Sequence, residues 1–361
     1  MSTALPLDIY NEIILYLTLS DISLLGTANK ALNVFVARRM YRRVEFPSET
    51  TRETLISFFW TMERRKDHAE IVEYLYLDWT SRPERNGTIA SYMVMTLPSM
   101  THLKTLFVSP TLDIWQWVFD DIHLPSLREF SLCKCNQLSA TFFKRHPELT
   151  KVHMGLCRPL TRHKPFVLEG SLEKLTCLRT CSAEFAIQVL DHMPHDLTRL
   201  DLGEINDDIL ILLASIRYST AKEVSRINVY GDRALSSLIS FASYKTPLRA
   251  VRRIGLGWST PYTNVDPTTL LRAAACVFPC IQTLDIVLHH NGHYYPDDAL
   301  ARKVLENDAQ LFPSLNTLLL ARDRVLTCPQ SETRDSRATR TFSESCDNRD
   351  WDYPFLPWQQ Y

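Results

Sequence analysis

The chain has 361 residues, with 40 Lys plus Arg against 41 Asp plus Glu, a formal charge of −1, and 45% hydrophobic residues. At ~150 residues per domain the length fits two units or one extended array, and the composition excludes wholesale disorder. The near-zero charge argues against a polyanion binder, so no nucleic-acid partner is expected. With 9 glycines and neither G-x-x-x-x-G-K-[ST] nor G-x-G-x-x-G, a phosphate loop is not expected either.

No apolar run reaches the ~18 residues of a membrane helix, and the acidic N-terminus lacks the basic region of a signal peptide. No membrane partner is expected. The 9 cysteines are odd in number and scattered. They read as buried thiols of a reducing compartment, the cytosol or the nucleus.

The first segment runs from Leu5 to Phe46. Leu5, Ile9, Ile13 and Leu17 recur at four-residue steps, with Ile14 beside them, which predicts one apolar helix face. Pro6 suits the first turn, and Asp8 and Glu12 favour the positive end of the helix dipole. Ser20-Asp21 offers an N-cap for a second helix, Ile22 to about Gly26. A third helix is predicted from about Lys30 to Tyr41, with Leu32, Phe35, Val36 and Met40 on one side. Arg38, Arg39, Arg42 and Arg43 lie near its C-terminal carbonyls. A unit this small buries little surface, so it must dock on the rest of the chain or on a partner.

This segment resembles an F-box. The residues that carry the resemblance are Leu5-Pro6, Ile9, Ile13, Leu17, Asp21-Ile22, Leu24-Leu25, Asn29-Lys30 and Tyr41-Arg42-Arg43-Val44. It departs at Leu32, where many members have Trp. The resemblance implies docking to the small adaptor subunit of an SCF ubiquitin ligase, and through it to the cullin scaffold. It assigns the adaptor contact to Leu5, Pro6, Ile9, Ile13, Leu17, Leu24 and Leu25. A plain helical cap on the array behind it is the alternative.

From residue 47 to 323 the pattern aliphatic-x-x-aliphatic-x-aliphatic recurs ten times. The copies open at Val72, Leu103, Leu127, Leu149, Leu178, Leu197, Val224, Val251, Ile281 and Leu315, in steps of 19 to 34 residues. Several follow a Pro-containing turn, such as Leu97-Pro98-Ser99, Leu124-Pro125-Ser126 and Phe312-Pro313-Ser314. Proline there ends a helix and launches an extended segment. Helix-like stretches lie between: Asp208 to Ile216, Ala234 to Tyr244 and Thr268 to Val277. The spacing resembles irregular leucine-rich repeats, and such units stack into a solenoid around a parallel sheet. The expected fold class is therefore α/β, a three-helix F-box at 1–46 followed by an irregular leucine-rich-repeat solenoid at 47–323. An ordinary α/β domain with short strands is the alternative.

Strand alternation predicts which side chains lie on the concave surface. The third-position column reads Tyr74, Thr105, Glu129, Lys151, Thr180, Arg199, Arg226, Arg253, Thr283, Thr317. Three arginines in successive copies make a ladder, with Arg252 and Lys151 adding charge and Asp201 and Asp285 offsetting it. Tyr230 and Trp258 lie just past two of the strands. Arg199, Arg226, Arg253, Tyr230 and Trp258 are the expected target-binding residues, because arginine clusters bind carboxylate and phosphate. A solvated strand face with aspartate partners is the alternative.

No catalytic set is expected. His289, His290 and His293 flank Asn291-Gly292, a turn signal, and read as solvated loop histidines rather than a metal site. No cofactor is expected. Cys133/Cys135, Cys177/Cys181 and Cys276/Cys280 lack C-x-x-C spacing, and no G-x-S-x-G occurs. Thr327 to Asp350 is polar and expected to be disordered. An aromatic end follows, with Trp351, Tyr353, Phe355, Leu356, Trp358 and Tyr361. Residues 324–361 are thus a linker and tail, which either caps the last repeat or binds a partner. The functional expectation is a substrate-recognition subunit of an SCF-type cullin ligase, with a target protein held on the repeats. A non-ligase interaction scaffold with F-box-like helices, or an unrecognised enzyme, is the alternative.

Overall fold

The computed structural model describes residues 9, 12–13, 16–28, 30–47, 49–78, 86–108, 117–132, 140–154, 172–180, 183–192, 197–202, 213, 216, 224–230, 232–244, 247–259, 266–290, 293–295, 311–320, 324–327 and 343–345. The chain divides into two compact units, Met1–Lys174 and Leu175–Tyr361. Leu5 and Pro6 lie outside the described residues, as do residues 346–361 with their aromatic cluster.

The first unit opens with helical residues Ile9, Glu12, Ile13 and Tyr16, then α1 (Leu19–Ala28) and α2 (Lys30–Tyr41). The cap of α1 is Thr18, not Ser20-Asp21. The Asp21 amide donates to Thr18 Oγ1 at 3.2 Å, and the Thr18 amide and hydroxyl donate to Asp21 Oδ2 at 3.3 and 2.5 Å. This reciprocal box satisfies helix-end donors that otherwise have no intrahelical acceptor. The two helices meet through buried Ile22 and Val36, with Leu17, Leu25, Phe35 and Met40 packed around them. Gly26 permits the approach, because a Cβ there would lie 2.9 Å from Val36 Cγ1.

Five parallel strands follow, interleaved with helices: β1 (Arg43–Phe46), β2 (Tyr74–Leu77), β3 (Thr105–Val108), β4 (Glu129–Leu132) and β5 (Lys151–Met154). The helices are α3 (Arg52–Arg64), α4 (Lys66–Ile71), α5 (Asn86–Thr96), α6 (Trp117–Asp120) and α7 (Ala140–Arg145). Strand β1 follows the third expected helix, within the segment assigned to the three-helix unit, where no strand was expected. The aliphatic pattern passes over it because Tyr41-x-x-Val44-x-Phe46 opens and closes on aromatics. Arg42 and Arg43 therefore serve the sheet, not the helix end. Arg42 pairs with Glu73 at 3.1 Å, and Lys104 reaches the same carboxylate at 2.8 Å.

Among its described residues the second unit has six parallel strands: β6 (Cys177–Thr180), β7 (Arg199–Leu202), β8 (Arg226–Tyr230), β9 (Arg253–Ser259), β10 (Thr283–His290) and β12 (Thr317–Leu320). Its helices are α8 (Ala183–His192), α9 (Asp232–Ala242) and α10 (Pro267–Val277). Helix α10 starts on an Asp266 cap, whose Oδ2 accepts from the Thr269 amide at 2.8 Å, with Pro267 at a position needing no N–H. Three strands run antiparallel: β11 (His293–Tyr295) on β10, β13 (Arg324–Thr327) on β12, and β14 (Ser343–Ser345) on β13. Expected disorder is thus overturned at Thr327 and Ser343–Ser345. Together β13 and β14 cover the edge that β12 would otherwise present.

One hydrogen-bond device recurs within both units. The carbonyl just before a strand accepts the two amides at the start of the next. Arg42, Glu73, Lys104 and Arg128 do so in the first unit, and Thr176, Thr198, Ser225, Arg252 and Gln282 in the second, at 2.7–3.1 Å. The device carries one register from strand to strand. It also corrects one repeat, whose frame is Leu175, Leu178 and Thr180, not Leu178, Cys181 and Ala183. All three side chains of the corrected frame are buried. The steps around it become 26 and 22 residues instead of 29 and 19. The true copy escapes the aliphatic pattern because its last inward residue is a threonine.

The core of the first unit holds Phe119, Phe130 and Phe142, with ring centroids 4.6–5.8 Å apart. A second position of the repeat lies three residues before the first aliphatic. It is filled by Ala69, Met100, Leu124, His146 and Leu172 in the first unit and by Leu248, Phe278 and Phe312 in the second, all buried. Histidine is the one polar occupant among these described positions. Among the described residues no helix is long and apolar enough to cross a membrane.

Candidate functional site

Two surfaces bear on function. On the N-terminal helical segment, Ile9 and Ile13 are each 42% exposed and Tyr16 is 84% exposed, and with Glu12 they line an open, mostly apolar depression. Leu24 on α1 is 68% exposed. These residues recur at helical spacing and leave apolar surface in water, where solvation is unfavourable unless something covers it. Leu17 and Leu25 instead contribute to the small helical core. The expected adaptor contacts therefore split into an outward set, Ile9, Ile13 and Leu24, and an inward set, Leu17 and Leu25.

The second surface is the strand face of the second unit whose residues alternate with the inward ones. The predicted ladder forms: Arg199 is the register partner of Arg226, and Arg226 of Arg253. Neighbouring strands lie ~4.8 Å apart, so like charges this close require compensation. It comes first at Arg199. Its Nη2 lies 2.6 Å from Asp201 Oδ2 and its Nε donates to Asp201 Oδ1 at 3.0 Å. Asn228 Nδ2 donates to the same Oδ1 at 2.5 Å. The fork is bidentate, and the side chains are only 18% and 3% exposed. Arg199 is thus held down on the sheet, while Arg226 on the next strand and Arg253 on the one after it are half-buried.

The fifth column of this face, in register, reads Arg179, Asp201, Asn228, Gly255 and Asp285. Apart from the glycine, these are buried polar residues. Arg179 enters the column only through the corrected frame, which also puts Cys177 rather than Thr180 beside Arg199. The column position of Asp201 marks it as a charge offset. Its role as the lock on Arg199 is legible in Arg199-Leu200-Asp201, since residues two apart share a strand face. Tyr230 and Trp258 lie within β8 and β9 rather than past them. Tyr230 pairs with Gly257 and Trp258 with Leu288. Their side chains are outside the described residues.

The corresponding face of the first unit has a different character. Arg43 sits over the Tyr74 ring at 4.2 Å, and Tyr76 stacks on Phe107 with centroids 4.3 Å apart and planes 12° apart. Lys151 pairs with Glu129 at 2.8 Å, and Ser131 Oγ lies 2.8 Å from His153 Nδ1. Burial pushes the Tyr74 phenol pKa up, with Arg43 opposing it. Repeat spacing alone does not reveal this aromatic pairing, because it sorts Tyr76 and Phe107 by position and not by their neighbours on the next strand.

The expected chemistry of the histidines and cysteines also changes. His289 and His290 end strand β10 and His293 opens β11, so they are strand residues, not loop residues. Cys177, Cys276 and Cys280 are free thiols, as expected, but Cys276 is exposed rather than buried. Among the described side chains no group of three or more His, Cys, Asp or Glu could hold a metal ion.

The sequence matches no model of a known protein family and no curated protein.

Proposed function

We propose that this chain is the substrate-recognition subunit of an SCF-type cullin ubiquitin ligase. In this reading the N-terminal helices are an F-box that docks the adaptor, and the strand–helix units are leucine-rich repeats that hold a target protein. Catalysis belongs to other subunits. The chain itself is not an enzyme and contributes proximity, which raises the effective concentration of target lysines near the ligase arm. Such a subunit works in the cytosol or nucleus.

The observation that carries the reading is the exposed apolar set Ile9, Ile13, Tyr16 and Leu24, on the segment that bears the F-box-like spacing. Docking there would remove apolar surface worth ~25 cal/mol per Å² from water. The target side is supported by the arginine register, with Arg226 and Arg253 as the contacting pair and Arg199 fixed beneath the surface by Asp201. Tyr230 and Trp258 lie further along the same two strands, β8 and β9.

Affinity purification of the intact chain from cells should bring the adaptor and cullin with it. The Ile9→Asp/Ile13→Asp variant should lose both while retaining its circular dichroism spectrum. An intact chain that captures neither subunit overturns the ligase assignment and leaves a non-ligase scaffold.

A further inference from the structure

Strand β1 leaves one side of its backbone open. It pairs with β2 and with no other described strand. The Arg42 and Phe46 carbonyls accept from the Tyr74 and Asp78 amides at 3.1 and 2.8 Å. Backbone groups alternate sides along a strand, so Val44 also turns to β2, while the amides and carbonyls of Arg43 and Glu45 turn outward. Among the described residues no hydrogen bond reaches those outward groups. The Arg43 and Glu45 side chains are open as well, at 67% and 48% exposed, whereas Val44 and Phe46 are buried on the other face. An edge of this kind is a template for a further strand.

Charge selects the strand that fits. Sheet edges are commonly guarded by charged side chains, and an edge of one sign repels a copy of itself. Strand β1 instead carries one charge of each sign, with Arg43 Nε 2.5 Å from Glu45 Oε1. A second copy laid antiparallel about Val44 brings its Glu45 opposite Arg43 and its Arg43 opposite Glu45. Directly opposed residues share one face with Cβ atoms ~4.5–5.5 Å apart, close enough for opposite charges to pair. Both opposed positions have outward backbone groups, so each exchanges an amide and a carbonyl bond with its counterpart. The contact is isologous and closes on itself. Pro47 has no N–H to carry the pairing further, which keeps the contact short and the association weak.

We propose that β1 is a self-association edge, on which a second copy of this chain adds its own β1 antiparallel across a two-fold axis at Val44. This role is independent of whether the N-terminal helices bind an adaptor.

The test is sedimentation equilibrium of the full chain over a range of concentrations. The wild-type mass should rise with concentration toward that of two chains. Glu45→Pro removes an N–H that faces away from β2, so it should keep its circular dichroism spectrum and remain a monomer. Arg43→Glu leaves two acids on the edge and Glu45→Arg leaves two bases, and each alone should weaken association at least about tenfold. An equimolar mixture of these two variants should associate more tightly than either alone, because acids then face bases. A wild-type mass that stays at one chain, self-association of Glu45→Pro equal to wild type, or a mixture no tighter than its components overturns the proposal. Should Glu45→Pro fail to fold, the mixture still decides the matter.

Discussion

Replacing His146 with leucine should produce a stability difference that shrinks as the solution is acidified. His146 is 2% exposed and occupies a repeat position that other copies fill with apolar residues. Its Nε2 lies 3.0 Å from the Leu124 amide nitrogen, which can only donate. That forces the proton onto Nδ1, which donates to the Phe142 carbonyl at 2.7 Å. The ring is therefore neutral, and protonating Nε2 would set two N–H groups against each other. Burial pushes its pKa down to about 4, with the Phe142 carbonyl opposing and His123 and Arg145 assisting.

The unfolded chain takes up this proton near pH 6.5, and the folded chain resists until about pH 4. Stability from this group is complete above ~6.5 and is lost as pH falls through about 4, a loss of about 3 kcal/mol at 1.36 kcal/mol per pKa unit. At neutral pH the leucine variant loses the bond to the Leu124 amide and leaves that donor buried, at about 1–3 kcal/mol. The two effects are of similar size. Wild type should exceed His146→Leu in stability near pH 7.5, and the gap should close near pH 4. His68, whose pKa burial also lowers, is common to both proteins and cancels from the difference. Asp67 and Glu73, held below their usual values by Arg65 and Lys104 hydrogen bonds, lose their contribution only at lower pH. Urea unfolding and amide exchange at Leu124, followed from pH 7.5 to about 4.5, measure the gap. A gap of constant size refutes the neutral, acceptor role of Nε2.

Three other outcomes come from the geometry. Asp201→Ala strands Arg199 beside Arg226 and should cost about 3–5 kcal/mol in urea unfolding, while Arg199→Met/Asp201→Leu should recover most of it; equal losses in both would refute the buried-pair account. Arg226→Ala/Arg253→Ala should weaken target capture in pull-downs and leave the circular dichroism spectrum intact, and undiminished capture would remove these arginines from the target site. Gly26→Ala places a Cβ 2.9 Å from Val36 Cγ1. Overpacking of about 1–3 kcal/mol should outweigh the ~1 kcal/mol gain in helix propensity, and Val36→Ala in the same background should relieve the clash; a thermally stabilised Gly26→Ala would show that the helices separate freely.

Strand positions were largely legible in the sequence, and the reason is burial. An inward side chain at every second strand position must be apolar, so aliphatics at positions one, four and six mark each strand wherever the core is made of aliphatics. The pattern falters where another residue satisfies the same burial, Phe46 in β1 and Thr180 in β6, and it does not reach His146, which is buried three residues before the copy that forms β5. Threonine and histidine are buried there at positions a hydrophobicity filter passes over. His146 donates to a carbonyl of the helix just before it and accepts from an amide one repeat earlier.

The sequence by itself determined which residues form the arginine column, because equal spacing from each inward aliphatic gives equal height on neighbouring strands. Only the tertiary structure decided how those arginines differ. Asp201 grips Arg199, with Asn228 bonded to the same oxygen from the next strand, and this singles out one of three chemically identical side chains. Periodicity reports the face on which a residue lies, but a contact depends on rotamers and cross-strand neighbours that are far apart in the chain.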